Sequence, residues 1–394
     1  MRGAGDIRDT SFWRHGLVAA IALLQPGIDP IFLVLLSHHS GLAPADHGLI
    51  VGASQTGMAV GALLFAAIPR LRGHSCRWAA VGATLAGLAT VTVTGLAALV
   101  VVRALFGLCN GLLYASALSS ATRRDPAQAM GIVLLTQLVL ATIVALALPQ
   151  IATHAGSGPA LALLAGLSLA AAALACRDRC DSAASAPHPG GAAARDTGAA
   201  AAVFLFVAGS MMVWSYAGAS AVVAGLSEAT VGAAVALGSI AGGGASLLVA
   251  LGARRGWRAL PLVPAGSLAA LAMLAPFAVP AGAVGFIAGM VIFNLGATYA
   301  VARFSAHAIA TTPNSARIVP AVQTSAMVVG PLAAALAVHG GGVAALAGAA
   351  AAALGLAVLA LAIDGRGLRD GRLAKDPVPQ ANCQAALDEA LTQP

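Results

Sequence analysis

The stretch from Leu99 to Arg124 constrains most strongly how this chain can fold. It is an apolar segment that, as a helix, is long enough to cross the hydrocarbon core of a bilayer. About 100° of one helix face collects its polar and small residues, which are Arg103, Gly107, Asn110, Gly111 and Tyr114. A guanidinium is costly in lipid, so this face must point toward protein or toward a water-filled cavity.

The composition extends this conclusion to the whole chain. Of the 394 residues, 59% are hydrophobic and only 9% are charged, whereas a soluble domain carries about 25% charged residues. We therefore predict an all-α polytopic membrane protein. The net charge of +7 comes from basic residues in short, separated loops rather than from a dense basic run. For that reason we expect no nucleic-acid partner.

Twelve segments meet the requirement of about 20 apolar residues for a membrane span. They cover residues 15–37, 48–69, 78–95, 97–119, 128–152, 157–176, 199–223, 229–252, 258–279, 283–305, 317–338 and 341–363. A polar segment rich in Ser, Ala, Pro and Gly separates span six from span seven. The predicted organisation is a cytoplasmic N-terminus (1–14), a six-helix bundle (15–176), a flexible linker (177–198), a second six-helix bundle (199–363) and a cytoplasmic tail (364–394).

The distribution of basic residues predicts the orientation of the chain. Lys and Arg occur in every second loop, and the loops between these contain neither residue; only Arg103 and Arg303 lie outside this scheme. Cytoplasmic loops carry the excess of basic residues in membrane proteins. Both termini are therefore expected in the cytoplasm, and the protein is expected in the inner (cytoplasmic) membrane with no cleaved signal peptide.

The two halves of the chain share short sequence similarities. VGASQTGMAVGALL at 51–64 corresponds to VGAAVALGSIAGGGA at 231–245, and GLLYA at 111–115 corresponds to GATYA at 296–300. The matches occur in the same order at similar offsets. We interpret them as a parallel repeat of two six-helix halves.

With twelve spans in two such halves, the sequence resembles the major facilitator superfamily over residues 12–364. Arg103 and Gly107 in span four match the family's Arg-x-x-x-Gly pattern, and the loop after span two contains Gly61 and the basic residues of a family signature. The Asp of that signature is absent, so the ion pair that it forms in relatives is in doubt. The Gly-Pro pattern of many antiporters is also missing from span five. The resemblance implies two halves around a central cavity that rock to open it to either side.

Asp29 is the only acidic residue inside a predicted span, and it lies between Pro26 and Pro30. Gln25 precedes it by one helical turn. One interpretation is that Asp29 binds and releases a proton during transport. Arg103 would then be the opposite charge that modulates the proton affinity of Asp29, or it would bind an anionic group. The other is structural, with the two charges neutralising each other or Asp29 capping the helix break. We name Asp29 and Arg103 as candidate proton-coupling residues.

Other polar and aromatic side chains within the spans are candidates for substrate binding. They are Gln25, Gln55, Asn110, Tyr114, Gln137, Trp214, Tyr216, Asn294, Thr298 and Gln323. Each could equally make helix-to-helix contacts, which are worth about 1 kcal/mol in membranes. The paired glycines Gly57/Gly61, Gly107/Gly111 and Gly238/Gly242 are expected to be helix-packing positions.

These observations predict a secondary transporter of a small organic molecule that works by alternating access and is coupled to protons. We favour efflux, with proton symport of a small organic acid or metabolite as the alternative and a non-transporting receptor as a remote one. The chain has no nucleotide-binding loop, no CxxC pair and no constellation for hydrolysis. We expect no enzyme activity, no cofactor and no metal. The expected partners are the substrate, protons and membrane lipid, and the expected state is a monomer.

Overall fold

The computed structural model describes residues 10–42, 46–72, 75–123, 125–176, 197–223, 225–226, 228–278, 282–311 and 315–373. All regular elements in this part of the chain are helices. The predicted linker at 177–198 lies outside it except for residues 197–198. The first nine residues of the predicted N-terminus and the predicted tail beyond residue 373 lie outside it as well.

Seven α-helices and one 3₁₀ turn form the first half of the described chain. The helices are α1 (Thr10–Ala22), α2 (Gln25–Ser40), α3 (His47–Ala67), α4 (Ser75–Thr92), α5 (Leu96–Ala121), α6 (Pro126–Ala155) and α7 (Ser157–Cys176). The 3₁₀ turn, Pro69–Arg72, follows α3.

Six further helices form the second half. They are α8 (Thr197–Val223), α9 (Glu228–Arg255), α10 (Leu262–Met273), α11 (Ala275–Ala278), α12 (Ala283–Thr311) and α13 (Ser315–Leu373). The last of these continues past residue 364, where the predicted tail begins.

Eight of the described helices are long and apolar enough to cross a membrane, so the protein is a multi-pass membrane protein. These are α3, α5, α6, α7, α8, α9, α12 and α13. The remaining predicted spans fall on the α1–α2 pair, on α4, on α10–α11 and on the second part of α13.

The first predicted span is broken into two helices at Leu23 and Leu24. Proline has no N–H group, so Pro26 leaves the Ala22 carbonyl without its usual intrahelical donor. The chain bridges the break with a tighter turn, in which the Leu24 N–H donates to the Ile21 carbonyl at 3.1 Å. The break lies close to Asp29, which sits in the second turn of α2.

A second break divides α13 near its middle. Gly341 and Gly342 have non-helical backbone angles there, and the φ of Gly342 is +66°. Side-chain-bearing residues rarely adopt this left-handed conformation. The break separates the segments that correspond to predicted spans 317–338 and 341–363.

Helices α3 and α5 pack backbone to backbone through the paired glycines. A Cβ atom on Gly57 or Gly61 would overlap a carbonyl oxygen of α5, and one on Gly107 or Gly111 would overlap a carbonyl oxygen of α3. The third pair, Gly238 and Gly242 in α9, packs against α12, where a Cβ would meet the side chains of Asn294 and Thr298. The expectation that these glycines serve helix packing is confirmed.

The two halves also pack against each other. Helix α6 lies against α9, and α3 and α5 lie against α13. Close contacts of the first pair join Gly131 to Ser246 and Ala250. A buried cluster of Ala62, Phe65, Ala115 and Ala321 combines residues of α3, α5 and α13. All of these residues lie toward the end of the bundle at which α5 and α12 finish.

We predict that Gly107→Ala lowers the free energy of unfolding by about 1–3 kcal/mol, because its methyl group must displace the backbone of Ser54. Gly52→Ala is the matched control on α3, since its Cβ would meet no atom within 4 Å. It should be neutral, or stabilising by up to about 1 kcal/mol through helix propensity. Unfolding titrations in detergent measure both changes. Equal effects of the two substitutions would contradict the packing that we describe.

Candidate functional site

Asp29 is buried in α2 beside the helix break, with 8% of its surface exposed. The Nε2 atom of Gln25, one turn earlier, donates a hydrogen bond of 2.7 Å to Oδ1 of Asp29. The prolines and the i, i+4 spacing thus place an amide donor directly against the carboxyl group.

Arg103 lies in α5 and is 2% exposed. Its Nε atom donates a hydrogen bond of 3.0 Å to Oγ of Ser54 in α3. The guanidinium carbon lies 4.4 Å from the ring centre of Phe32 and 4.3 Å from that of Phe106. Two cation–π contacts and one neutral hydrogen bond therefore stabilise this buried charge.

Asp29 and Arg103 lie close enough to interact electrostatically. They do not form an ion pair, which would need a nitrogen–oxygen distance of 4.0 Å or less. The only hydrogen bond of the Arg103 side chain within the described region is that to Ser54. Of the described residues, Arg303 alone has a fully buried side-chain polar atom, Nε, without a partner. The terminal nitrogens of Arg103 and the second carboxyl oxygen of Asp29 therefore have no hydrogen-bond partner among the described residues.

A small pocket adjoins the helix break and is lined by residues of α1, α2, α5 and α7. Its polar lining consists of Gln25, Asn110 and Ser168, and the rest of its lining is apolar. Asn110 donates its amide to the Phe106 carbonyl at 3.0 Å, which leaves its own carbonyl oxygen for other contacts.

Two more predicted residues lie near this group. Gln137 is buried in α6, and a Cβ on Gly27 of α2 would be 2.8 Å from its Nε2 atom. Gln55 is buried in α3 and follows Ser54, the residue that binds Arg103. The structure thus brings Gln25, Asp29, Arg103, Asn110 and Gln137 into one region of the first half.

Tyr114 and Gln323 form a separate group that joins the two halves. The Tyr114 hydroxyl in α5 donates to Oε1 of Gln323 in α13 at 2.5 Å. The Nε2 atom of Gln323 then donates to Oγ of Ser305 in α12 at 2.8 Å. All three side chains are buried. In this conformation Tyr114 and Gln323 direct their polar groups toward each other.

The remaining predicted residues lie in the second half. Trp214 is half-buried and stacks on Phe293, with ring centres 6.2 Å apart. Asn294 donates to the Met290 carbonyl of its own helix at 2.9 Å, and it packs with Thr298 against α9. Tyr216 is half-buried in α8. These residues are not part of the Asp29 region.

Sequence reasoning missed four residues that the structure places in these contacts: Phe32, Ser54, Phe106 and Ser305. Phe32 follows Asp29 by three residues, and Phe106 follows Arg103 by three, so helical spacing was a usable signal for both. Ser54 and Ser305 become partners only through packing between distant segments.

Within the described residues, no group of three or more His, Cys, Asp or Glu side chains is arranged to hold a metal ion. The polar atoms of the site are instead one carboxyl, one guanidinium, amides and hydroxyls, which suit a small polar molecule or a proton.

Comparisons with known proteins gave a structural match without a sequence match. No protein-family model matches the sequence, and no curated protein matches it either. Among solved structures, the chain is similar to a major facilitator superfamily proton:xylose symporter, XylE, bound to 6-bromo-6-deoxy-D-glucose. The TM-score is 0.65, the identity is 13%, and the match covers 90% of this chain and 95% of the other.

The match extends over nearly the full length of both proteins. The protein has the fold of the major facilitator superfamily.

Proposed function

We propose that this protein is a secondary transporter that moves a small organic molecule by alternating access and couples this movement to protons. The observation that carries the proposal is the pair formed by Asp29 and Arg103. Both are buried and lie within electrostatic range of each other, and each keeps polar atoms without a hydrogen-bond partner among the described residues. Intramembrane ionisable residues are rare, and they mark ion and substrate pathways.

The pair also provides a physical route to coupling. Protonation of Asp29 removes one of two opposite charges and leaves Arg103 without a counter-charge in a low-dielectric site. Any ligand that binds in the same region therefore experiences a different field in the two protonation states. By linkage, the ligand changes proton affinity by the same factor as the proton changes ligand affinity.

We favour efflux as the direction, with proton-coupled uptake of a small organic acid or metabolite as the second candidate. The structural neighbour is described as a symporter, which supports the second candidate. At 13% identity the likeness supports the fold and gives no basis for assigning xylose to this chain. Gln25, Gln55, Asn110 and Gln137 are the proposed substrate contacts nearest to the pair.

The proposed architecture has twelve membrane crossings in two six-helix halves, with both termini in the cytoplasm of a cell with an inner membrane. The α1–α2 pair and α10–α11 each account for one crossing, and the break at Gly341 and Gly342 divides α13 into two. The basic loops support this orientation. We further propose that the protein works as a monomer in contact with lipid.

The orientation is testable with reporters fused to the C-terminus and inserted between residues 185 and 186. We predict that green fluorescent protein at either position is fluorescent and that alkaline phosphatase is inactive, because both positions are cytoplasmic. The matched control is an insertion at residues 44–45, in a loop without Lys or Arg, where phosphatase should be active. Phosphatase activity at the C-terminus would contradict the proposed topology.

Proton coupling is testable in inverted vesicles that are exposed to a chemical panel, with substrate-triggered proton movement as the signal. We predict that Asp29→Asn abolishes the signal and that Arg103→Ala lowers it at least about tenfold, since each removes one member of the intramembrane pair. Asp125→Asn is the control for a carboxyl group, because Asp125 caps α6 and Asn caps helices equally well.

The outcome for Asp29 decides the mechanism. If the Asp29→Asn variant, at equal expression, still accumulates or releases substrate fully in response to a pH gradient, Asp29 does not couple transport to protons. Transport by the purified protein in liposomes separates the transporter from a receptor, which moves no substrate.

We predict that Arg103→Lys restores little of the function lost in Arg103→Ala, leaving transport at least about tenfold below wild type. Lysine keeps the charge but has no Nε–H group at the position that binds Ser54 and no planar group to lie between Phe32 and Phe106. Transport rates at matched expression measure this effect. Near-normal rates would mean that the positive charge alone matters.

A further inference from the structure

The hydrogen-bonded chain of Tyr114, Gln323 and Ser305, which we call the Tyr114 relay, connects three helices from both halves. Tyr114 belongs to α5 of the first half, whereas Gln323 and Ser305 belong to α13 and α12 of the second. Tyr114 and Ser305 have no exposed surface and Gln323 has 4%. A buried polar group that loses its partner costs more than a typical hydrogen bond contributes.

The relay lies at a single depth in the bundle. Tyr114 is seven residues from the end of α5, Ser305 six from the end of α12 and Gln323 eight from the start of α13. At 1.5 Å per residue these positions are about 9–12 Å from that end of the bundle. The sequence predicts this end to be cytoplasmic.

The same end carries further close contacts between the halves. The cluster of Ala62, Phe65, Ala115 and Ala321 lies beside the relay, and Gly131 meets Ser246 and Ala250 at a similar depth. These contacts are apolar or involve backbone atoms. Among the described contacts between the halves at this end, the relay is the one made by side-chain hydrogen bonds.

The loop between α3 and α4 lacks the Asp of the major facilitator signature that this loop resembles. An ion pair based on that Asp therefore cannot hold this end closed. Of the acidic residues described near this end, Asp125 accepts a hydrogen bond from its own helix, and Asp364 binds His307 within the second half. Neither makes a described contact between the halves.

We propose that the Tyr114 relay is an uncharged latch that holds the cytoplasmic ends of the two halves together, and that it must break each time the transporter opens inward. Tyr114 and Gln323 are then positioning residues that set the balance between closed and inward-open forms. This proposal rests on alternating access but not on proton coupling at Asp29.

The test uses spin labels at Ala67 and Arg254, which are exposed positions near the cytoplasmic ends of α3 and α9 in different halves. The labels are placed in full-length protein from which the five native cysteines have been replaced. Pulsed electron paramagnetic resonance measures the distance between the two labels. In Tyr114→Phe we expect the ratio of long to short distances to rise about three- to tenfold, as the loss of one buried hydrogen bond implies.

Tyr299→Phe is the matched control, because it removes the same hydroxyl from a half-buried tyrosine of α12 that has no hydrogen bond within the described region. It should leave the distances unchanged. Gln323→Leu should shift them in the same direction as Tyr114→Phe, and the double variant should shift them by less than the product of the two effects.

An uncharged latch also predicts little dependence on salt. The closed fraction of the wild type should be the same at about 0.1 M and about 1 M salt, conditions between which exposed ion pairs are strongly screened. A closed fraction that falls steeply with salt would overturn the proposal, as would identical distances in Tyr114→Phe and wild type.

The results distinguish the latch from the proposed function. If the labels never separate in any variant or at any pH, alternating access itself fails. If they separate in the wild type but Tyr114→Phe does not change the balance, only the latch fails.

Discussion

The cost of polar groups in hydrocarbon governs how this protein is built. Lipid offers no hydrogen bonds, so each charge or amide within a span must find its partners on a neighbouring helix or in a cavity. Arg103 meets this requirement with a serine hydroxyl and two aromatic rings rather than with a carboxylate. The terminal nitrogens of Arg103 and one carboxyl oxygen of the nearby Asp29 thus lack a hydrogen-bond partner among the described residues, which fits the transport site that we propose.

The packing of α3 against α5 makes this arrangement possible. Ser54 has two roles, since its carbonyl oxygen lies where a Cβ of Gly107 would be and its hydroxyl accepts the hydrogen bond from Arg103. Only a glycine one turn beyond Arg103 allows the helices to approach this closely. Small residues on the shared face thus serve the charged site as well as helix association.

Much of the fold follows from the sequence, because apolar length, basic loops and small-residue spacing are local signals. The glycine pairs were predicted as packing positions for this reason, and the resemblance to the superfamily is confirmed at the level of the fold. Helical spacing also identifies Asp29, Gln25 and Arg103 as special. It cannot show that Arg103 binds Ser54 instead of Asp29, because that depends on the separation and rotation of α2, α3 and α5.

The same limit explains why the contact between Tyr114 and Gln323 could not be predicted from the sequence. Each is a lone polar residue in an apolar span, and sequence alone does not distinguish a ligand contact from a contact between helices 209 positions apart. The break in the first span was easier to anticipate, since Pro26 and Pro30 remove donors wherever the surrounding helices lie.

The helix α5 connects the two ends of the molecule mechanically. Arg103 and Tyr114 lie on one face of it, about 16 Å apart along the axis, and the glycine contacts join α5 to α3 between them. A helix pair packed through its backbones moves as a rigid body, because sliding would force carbonyl oxygens into each other. In the proposed mechanism, a change in charge at Asp29 that shifts α5 would also move Tyr114 against Gln323. The proposed charged site and the proposed latch are in this way joined by one helix.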